Sequence, residues 1–520
     1  MALFAAFRLP ELTRYALWYD ELFAITLAQM DWHDLFDRAV ADRTNPPLFY
    51  ALLKLWIGGG GESVAWMRLL PCLLGIAAAV PMVALARRFL DVPGESPFPK
   101  PVVFDASVAA MAAAAASPLA VFLSNEIRGY SLLLFASAVS LFAYDRLTAS
   151  AGWLAPGADD GAVPSTRGYA LAEHKRRIAQ MALAAILLVY SHYFGWLLLA
   201  AQVVAAAIWH RRALAGLGIA VGVAILAFSP WALAVIVGSR AVSAPLTMVD
   251  WIATPSLLDI PRFFDALVAR VFTPATASAG AVAIVASLLA LALSVVRRER
   301  AVHPRAAIAE LAVLAGLPVL VAAAAGFVLA RPVFVPRYLL VAAPAWWLLI
   351  GAAVVALGAL TAGARDVLER DFRTRATVIT FVLFTFAAGA ARLIRGGEKV
   401  AWDQLVAAIA ADAKAAGASQ GVIYSLEGFT GLPAAFYAAQ QATGLTVQPV
   451  QELSAALSAD AEPGASAKPA KAWLIVRSSP SGAAAALGAG LAPRGVALTE
   501  VYVARVPSHT ITAYRLAPAP

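Results

Sequence analysis

The stretch Leu214–Val237 reads LAGLGIAVGVAILAFSPWALAVIV and contains no ionisable side chain. A helix of roughly 20 apolar residues is long enough to cross a hydrocarbon core about 30 Å thick. Similar runs recur along the 520-residue chain, in which 61% of the residues are hydrophobic and only 14% are charged. Soluble domains contain about 25% charged residues. The sequence therefore predicts an α-helical polytopic membrane protein.

About eleven spans are predicted from the length of the apolar runs. The first is represented only by the stub Met1–Phe7, and we expect the natural protein to begin further upstream. The other predicted spans are Val64–Phe89, Ala106–Leu123, Gly129–Leu147, Ile178–Phe194, Gly195–Trp209, Leu214–Val237, Ala275–Val296, Ala307–Ala330, Tyr338–Leu360 and Thr377–Leu393.

The net charge of +8 comes from Lys and Arg residues in short loops between the spans. Basic clusters such as Arg87–Arg88, Arg297–Arg298 and the block Arg365–Arg375 fall in loops on one side, which the positive-inside rule assigns to the cytoplasm. This distribution indicates topology rather than nucleic-acid binding. It predicts a multi-pass protein of the bacterial inner membrane.

Two domains are predicted. Residues 1–395 form the transmembrane domain, which includes an acidic first outer loop, residues 11–61. Residues 396–520 form a small extracytoplasmic α/β domain, because buried strand patterns alternate there with helical ones. The strand patterns are Val422–Ser425, Leu445–Val450, Trp473–Arg477, Leu498–Ala504 and Thr510–Arg515.

An adjacent carboxylate pair, Asp20–Glu21, follows Trp18 and Tyr19 in the first outer loop. Such a pair could act as a general base or bind a divalent cation. The alternative is a helix N-terminus with acidic residues in its first turn. The six histidines do not have zinc-ligand spacing, and the sequence requires neither a metal nor another cofactor.

Outward-facing arginines form a second group of candidates. Arg128 lies in the segment Ser124–Tyr130, and Arg337 precedes Tyr338 at the start of a span, six positions after Arg331. Paired arginines can hold a phosphate bidentately, so we assign these residues to phosphate binding. The alternative is that they anchor span ends at the interface.

His192 and Tyr193 lie at a tight outer hairpin, and Asn45 and Tyr50 flank the run Pro46-Pro47-Leu48-Phe49. We assign all four to acceptor or sugar binding, although a lone His is more often a hydrogen-bonding interface residue. Ionisable groups gather at the outer ends of the spans, whereas ion-coupled transporters place them near mid-membrane. The pattern favours chemistry at the membrane surface over transport.

These motifs resemble the protein-mannosyltransferase and aminoarabinosyltransferase-like group of GT-C glycosyltransferases. The resemblance is carried by five segments: Arg8-Leu9 with Leu17-Trp18-Tyr19-Asp20-Glu21, Asn45–Tyr50 with Arg68-Leu69-Leu70-Pro71, Ser124–Tyr130, Tyr190–Gly195 and Pro336-Arg337-Tyr338. It implies that Asp20 activates the acceptor and that Arg128 and Arg337 lie near a lipid phosphate. The chain departs from the family at its truncated first span and at Asn45, which replaces the usual His.

The resemblance implies a membrane glycosyltransferase that transfers a hexosyl or pentosyl group with inversion. The donor would be linked to a polyprenyl phosphate, and the extracytoplasmic acceptor would be a protein, a lipid or a cell-envelope glycan. The alternative is a lipid or polysaccharide transporter or flippase without transferase chemistry. The expected partners are the donor, membrane lipid and the acceptor, and no nucleic acid.

Overall fold

The computed structural model describes residues 1–90, 101–152, 164–241, 256, 258–268, 285, 288–289, 292, 305–328, 333–361, 367–395, 399–425, 428–453, 471–478, 491, 493, 496–506 and 509–518. These residues form two compact units. The first contains Met1–Leu12 and Leu27–Ile394, and the second contains Thr13–Thr26 and Arg395–Pro520. The segment Thr13–Thr26, which the sequence places in the first outer loop of the transmembrane domain, thus packs with the C-terminal unit.

The first unit is built from α-helices, as predicted. In chain order its described helices are Ala2–Arg8, Trp32–Asp42, Leu48–Gly60, Val64–Ala77, Ala79–Leu90, Pro101–Ala116, Pro118–Ser124, Tyr130–Gly152, Pro164–Ser191, Gly195–Trp209, Leu214–Ala241, Asp259–Val268, Arg305–Val328, Ala343–Thr361 and Val367–Arg395. Short 3-10 turns cover Leu9–Glu11, Arg211–Ala213 and Tyr338–Ala342. The helix Tyr19–Gln29 begins in the second unit.

Six helices within the described ranges are long and apolar enough to cross a membrane, and a bent pair would make a seventh. They are Val64–Leu90, Tyr130–Ala151, Arg211–Gly238, Ala306–Val328, Tyr338–Thr361 and Asp371–Ile394. The apolar helices Leu48–Gly60 and Gly195–Trp209 are shorter. The predicted span Ala275–Val296 lies outside the described residues apart from isolated positions, and the total of about eleven spans stays a prediction.

The bent pair replaces the continuous span predicted over Ala106–Leu123. The helices Ala106–Ala116 and Pro118–Ser124 meet at 47°. Pro118 causes the break, because proline has no N–H and disfavours a helical conformation in the preceding residue. The Ser117 backbone is not helical there, and the Ser117 hydroxyl accepts a hydrogen bond from the Ala120 amide at 3.4 Å.

Arg8 is fully buried beside this break. Its guanidinium donates hydrogen bonds to the carbonyl oxygens of Ala115 at 3.0 Å and Ala114 at 3.4 Å, and to the Ser124 hydroxyl at 3.1 Å. Backbone groups freed by proline inside a membrane need another partner, because hydrocarbon supplies none. Arg8 supplies it, and it also holds the end of the short helix that leads into the segment Ser124–Tyr130.

Two helices of the first unit cross in close contact at Gly351. The helix Ala343–Thr361 is buried over nearly its whole length and lies against the helix Pro101–Ala116. A Cβ atom added at Gly351 would collide with the Ala106 carbonyl oxygen and would lie 2.8 Å from the Ala110 Cβ atom. The crossing therefore requires glycine at this position.

The second unit contains a five-stranded sheet, as predicted for an α/β domain. Its strands are β1 (Gly421–Ser425), β2 (Leu445–Pro449), β3 (Ala472–Ser478), β4 (Val496–Val506) and β5 (His509–Pro518). The order is β2-β1-β3-β5-β4, in which β1 is parallel to β2 and β3, and β5 is antiparallel to β3 and β4. The helices Trp402–Ala415 and Gly428–Gln440 bury the hydrophobic face that contains Ile423 and Trp473.

We predict that Gly351→Ala lowers the free energy of unfolding by about 1–3 kcal/mol, the usual cost of forcing extra volume into a packed core. Denaturant unfolding of the detergent-purified protein measures the change. The matched control is Gly218→Ala, because a Cβ atom there meets nothing within 4 Å. Equal stabilities of the Gly351→Ala and Gly218→Ala proteins would show that the crossing is not tight.

Candidate active site

The segment Ser124–Tyr130 joins the short helix after the break to the helix Tyr130–Gly152. Its side chains are buried, including the Arg128 side chain. The Asn125 amide donates to the Val121 carbonyl at 3.0 Å, and the Arg128 N–H bonds the Glu126 carbonyl at 2.7 Å. These bonds fold the segment into a compact turn, which holds Arg128 in one place.

The hairpin that contains His192 lies between the helices Pro164–Ser191 and Gly195–Trp209. His192 is only 4% exposed, and its Nδ1 atom accepts a hydrogen bond from the Phe194 amide at 3.2 Å. This bond assigns the proton of the neutral ring to Nε2. The turn is tight, since a Cβ atom at Gly195 would lie 2.7 Å from the Leu188 carbonyl oxygen.

The aromatic rings of His192, Tyr130 and Tyr338 cluster together. The ring centre of His192 lies 4.9 Å from that of Tyr338 and 6.4 Å from that of Tyr130. The guanidinium of Arg337 sits 5.8 Å from the Tyr130 ring centre and 5.5 Å from the Tyr338 ring centre. Three predicted site residues, His192, Arg337 and Tyr338, thus meet at one place.

Arg128 belongs to the same cluster on electrostatic grounds. Burial is the main cause that lowers the pKa of His192 from its ordinary value, the nearby guanidinium groups of Arg128 and Arg337 act in the same direction, and together they bring it to about 3. The imidazole therefore stays neutral at physiological pH beside two permanent positive charges. This arrangement favours an anion, and a guanidinium matches a phosphate especially well.

Gly129 brings the Asn45–Tyr50 motif to the edge of the cluster. A Cβ atom at Gly129 would lie 3.4 Å from the Phe49 Cβ atom and 3.5 Å from the Ser191 carbonyl oxygen. Phe49 and Tyr50 are both buried, and their rings meet edge to face with centres 6.4 Å apart. The three separate sequence motifs around Phe49, Gly129 and Ser191 are therefore in contact.

A second set of polar groups extends from Tyr193. The Trp231 indole donates to the Tyr193 hydroxyl at 3.2 Å. Burial raises the pKa of Tyr193, the Trp231 hydrogen bond lowers it, and the Asp42 carboxylate adds to the rise. Asp42 accepts a hydrogen bond from the Thr44 hydroxyl, to which Asn45 also donates at 3.0 Å.

The sequence alone does not single out Asp42 or Trp231. Asp42 is one of several acidic residues in the first outer loop, and Trp231 lies inside an apolar run beside Pro230. Neither has a distinctive spacing, so their link to Tyr193 is visible only in three dimensions. Asn45 and Tyr193, which were selected, belong to this polar set.

The second unit contains the predicted carboxylate pair, and its two members differ. Glu21 is fully buried and forms an ion pair with Lys399 at 3.1 Å. Asp20 is half-buried, and among the described residues no hydrogen bond or ion pair engages its carboxylate. Of the two, Asp20 is the carboxylate that is available to a substrate.

Two further predictions concern phosphate and metal binding. Arg331, which was predicted to bind phosphate, lies outside the described residues. Within the described ranges, no group of three or more His, Cys, Asp or Glu side chains could hold a metal ion.

Neither a protein-family model nor a curated protein sequence matches the chain. Two crystal structures of ArnT from Cupriavidus metallidurans are similar to it. The apo structure has a TM-score of 0.53 at 13% identity, and the structure bound to undecaprenyl phosphate has a TM-score of 0.52 at 15% identity. Each match covers 98% of this chain and 96% of the other. The GT-C fold expected from the motifs is confirmed.

We predict that His192 makes the folded protein less stable in acid. Its folded pKa lies below the unfolded value of about 6.5, so only the unfolded chain takes up the proton as the pH falls below about 6.5. At pH 5 this costs about 2 kcal/mol, at roughly 1.4 kcal/mol for each pH unit. Denaturant unfolding at pH 7 and pH 5 should show a smaller loss in His192→Gln than in the wild type.

The control is His33→Gln, because the His33 side chain is 82% exposed and lies on the outside of its helix. It should lose as much stability in acid as the wild type. An identical loss in the wild type and in His192→Gln would contradict the buried neutral state of His192.

Proposed function

We propose that this chain is a membrane glycosyltransferase that transfers a hexosyl or pentosyl group from a polyprenyl-phosphate-linked donor to an extracytoplasmic acceptor. The observation that carries the proposal is the cluster of Arg128, His192 and Arg337, in which two guanidinium groups flank one neutral imidazole. The fold supports it, because a protein with this fold was crystallised with undecaprenyl phosphate.

The two guanidinium groups would stabilise the departing phosphate. As the bond between the sugar carbon and the phosphate oxygen breaks, both electrons of that bond move to the phosphate and its negative charge increases. Fixed cations placed where charge develops lower the barrier more than mobile water does. Arg128 and Arg337 have this role, and the Nε2–H of His192 can donate a hydrogen bond to the same anion.

Asp20 would accept the proton of the acceptor. The acceptor oxygen or nitrogen attacks the sugar carbon on the face opposite the phosphate, which inverts the configuration, and its proton moves to the Asp20 carboxylate. Glu21 does not share this role, since it is buried against Lys399. The same ion pair argues against a cation held jointly by Asp20 and Glu21, and we propose that the transfer requires no cofactor.

The polar set around Tyr193 would bind the sugar or the acceptor. The Tyr193 hydroxyl accepts from the Trp231 indole and is influenced by the Asp42 carboxylate, and the Asn45 amide donates to Thr44. Sugar hydroxyls need both donors and acceptors, and this set offers both.

We also propose that the protein is a bacterial inner-membrane protein whose C-terminal unit faces away from the cytoplasm, since the basic loops alternate consistently. A C-terminal alkaline phosphatase fusion should therefore be active in bacterial host cells, and a C-terminal green fluorescent protein fusion exported through the same translocon should be dark. An inactive phosphatase fusion together with a fluorescent green fluorescent protein fusion would place the C-terminal unit in the cytoplasm and reverse the assignment of every loop to a side of the membrane.

We expect Arg337→Lys to weaken binding of undecaprenyl phosphate roughly 10- to 100-fold, because a hydrogen bond to a charged group contributes about 1.5–3 kcal/mol and lysine lacks the planar fork. Isothermal titration of the detergent-purified protein measures the dissociation constant. The control Arg262→Lys, at an exposed arginine paired with Asp259, should bind like the wild type. If Arg337→Lys binds undecaprenyl phosphate with wild-type affinity, then Arg337 only anchors the end of its span.

We expect Asp20→Asn to insert and fold normally but to lose about 10²- to 10⁴-fold in turnover, the usual contribution of a general base. Asp20 lies in the first turn of the helix Tyr19–Gln29, where loss of its charge would cost only about 0.3–1 kcal/mol of stability, so a structural role predicts little change in turnover. Release of polyprenyl phosphate by the purified protein measures turnover, and Asp34→Asn, an exposed carboxylate of the same loop, is the control. Full turnover in Asp20→Asn would show that Asp20 is not the general base.

A further inference from the structure

We infer that Lys399 and Tyr437, which belong to the C-terminal domain, are positioning residues for Asp20 and act through the segment Thr13–Thr26. This inference rests on the proposed role of Asp20 as the base. It concerns contacts within the second unit, which contains both this segment and the C-terminal domain.

A backbone hydrogen bond attaches the segment at Leu17. The Tyr437 hydroxyl accepts the Leu17 amide hydrogen at 2.7 Å, although the two residues are 420 positions apart in the sequence. Leu17 is buried, and Tyr437 lies on the helix Gly428–Gln440 in the hydrophobic core of the domain. A buried amide without a partner is costly, so this bond favours one placement of the chain before Asp20.

Trp18, the residue after Leu17, also contacts the C-terminal domain. Its ring packs against the core that contains Trp402, Leu405 and Tyr437. The Lys399 ammonium lies 5.9 Å from the centre of the same ring, a cation–π arrangement. Trp18 also begins the helix Tyr19–Gln29, because its carbonyl oxygen accepts the amide hydrogens of Glu21 at 3.1 Å and Leu22 at 3.0 Å.

Lys399 attaches the segment a second time at Glu21. Its ammonium forms the ion pair with the Glu21 carboxylate at 3.1 Å, and the two side chains are 5% and 0% exposed. A buried ion pair is a weak source of stability, because removing two charges from water costs about as much as their attraction returns. Such a pair specifies geometry, and here it specifies the first turn of the helix.

Asp20 lies between these two attachments. Its neighbours Trp18 and Glu21 are bound by Lys399, whereas its own carboxylate is half-buried and makes no hydrogen bond or ion pair with other described residues. The backbone is thus fixed while the reactive group stays available. A catalytic group needs this combination, since a shift of about 1 Å can cost about 100-fold in rate.

The test uses the full-length protein in lipid nanodiscs and measures both hydrogen exchange and turnover. Tyr437→Phe removes the acceptor for the Leu17 amide, and Lys399→Met removes the charge with little loss of length. Lys399→Arg keeps the charge and serves as the conservative rescue. The matched controls are Tyr502→Phe, whose hydroxyl bonds Gln404, and Lys471→Met, whose ammonium bonds the Gly417 carbonyl.

Tyr437→Phe and Lys399→Met should both speed amide exchange in peptides that cover residues 13–26, with no change in the helix Tyr130–Gly152. Turnover should fall up to about 100-fold, whereas KM for the donor and the affinity for undecaprenyl phosphate should not change. Lys399→Arg should restore most of the turnover. In an Asp20→Asn background, Tyr437→Phe should cause no further loss, because it acts through Asp20.

Two results would overturn the inference. Unchanged exchange in residues 13–26 would show that Lys399 and Tyr437 do not hold the segment, whatever the activity. Faster exchange with wild-type turnover would show that the attachment is structural only. Failure of the proposed function is distinguishable from both, because the wild type would then release no polyprenyl phosphate and Asp20→Asn would match it.

Discussion

The lack of water in the membrane interior is the constraint on which the site depends. Pro118 interrupts a helix there, and the carbonyl oxygens of Ala114 and Ala115 find their partner in the buried guanidinium of Arg8. Without such a partner the break would be costly, since each unsatisfied backbone group in hydrocarbon costs several kcal/mol. The chain bends by 47° at this break, and the short helix that follows it ends at Ser124. The segment that contains Arg128 follows directly.

Charge balance is the second constraint. Three basic side chains converge in the first unit, but only two of them are charged, because burial and the two arginines keep His192 neutral. A protonated His192 would add repulsion with the two arginines, and it would not improve the shape of the anion site. The neutral imidazole keeps one N–H that can donate a hydrogen bond, and its ring packs on Tyr338. The cluster thus combines a directional donor with a positive charge, which suits an anion.

Much of this organisation follows from the sequence, because it depends on local patterns. The apolar runs predict the long helices, and the strand patterns predict the C-terminal sheet. Arg128, His192 and Arg337 are predicted as site residues because each lies at the outer end of a span. The family resemblance implies that Arg128 and Arg337 lie near one phosphate, but it does not place His192 with them. The break at Pro118 was missed because proline is tolerated in membrane helices, and the partners of Arg8 are carbonyl oxygens more than 100 positions away.

Other features depend on contacts between distant parts of the chain and have no local signature. Asp20 and Glu21 look equivalent in the sequence, and only the burial of Glu21 against Lys399 separates them. The packing of Thr13–Thr26 with the C-terminal unit likewise depends on Tyr437, which has no distinctive neighbours. Asp42 stands out only through its electrostatic influence on Tyr193.

Cleavage of a lipid-linked sugar by the purified protein is the most direct test of the proposed transferase activity. The protein in proteoliposomes would be given a panel of undecaprenyl-phosphate hexoses and pentoses together with an envelope extract. We expect release of undecaprenyl phosphate from at least one donor, matched by an equal amount of sugar attached with inverted configuration. Movement of a lipid-linked sugar across the bilayer with its phosphate bond intact, and no release from any donor, would contradict the proposal.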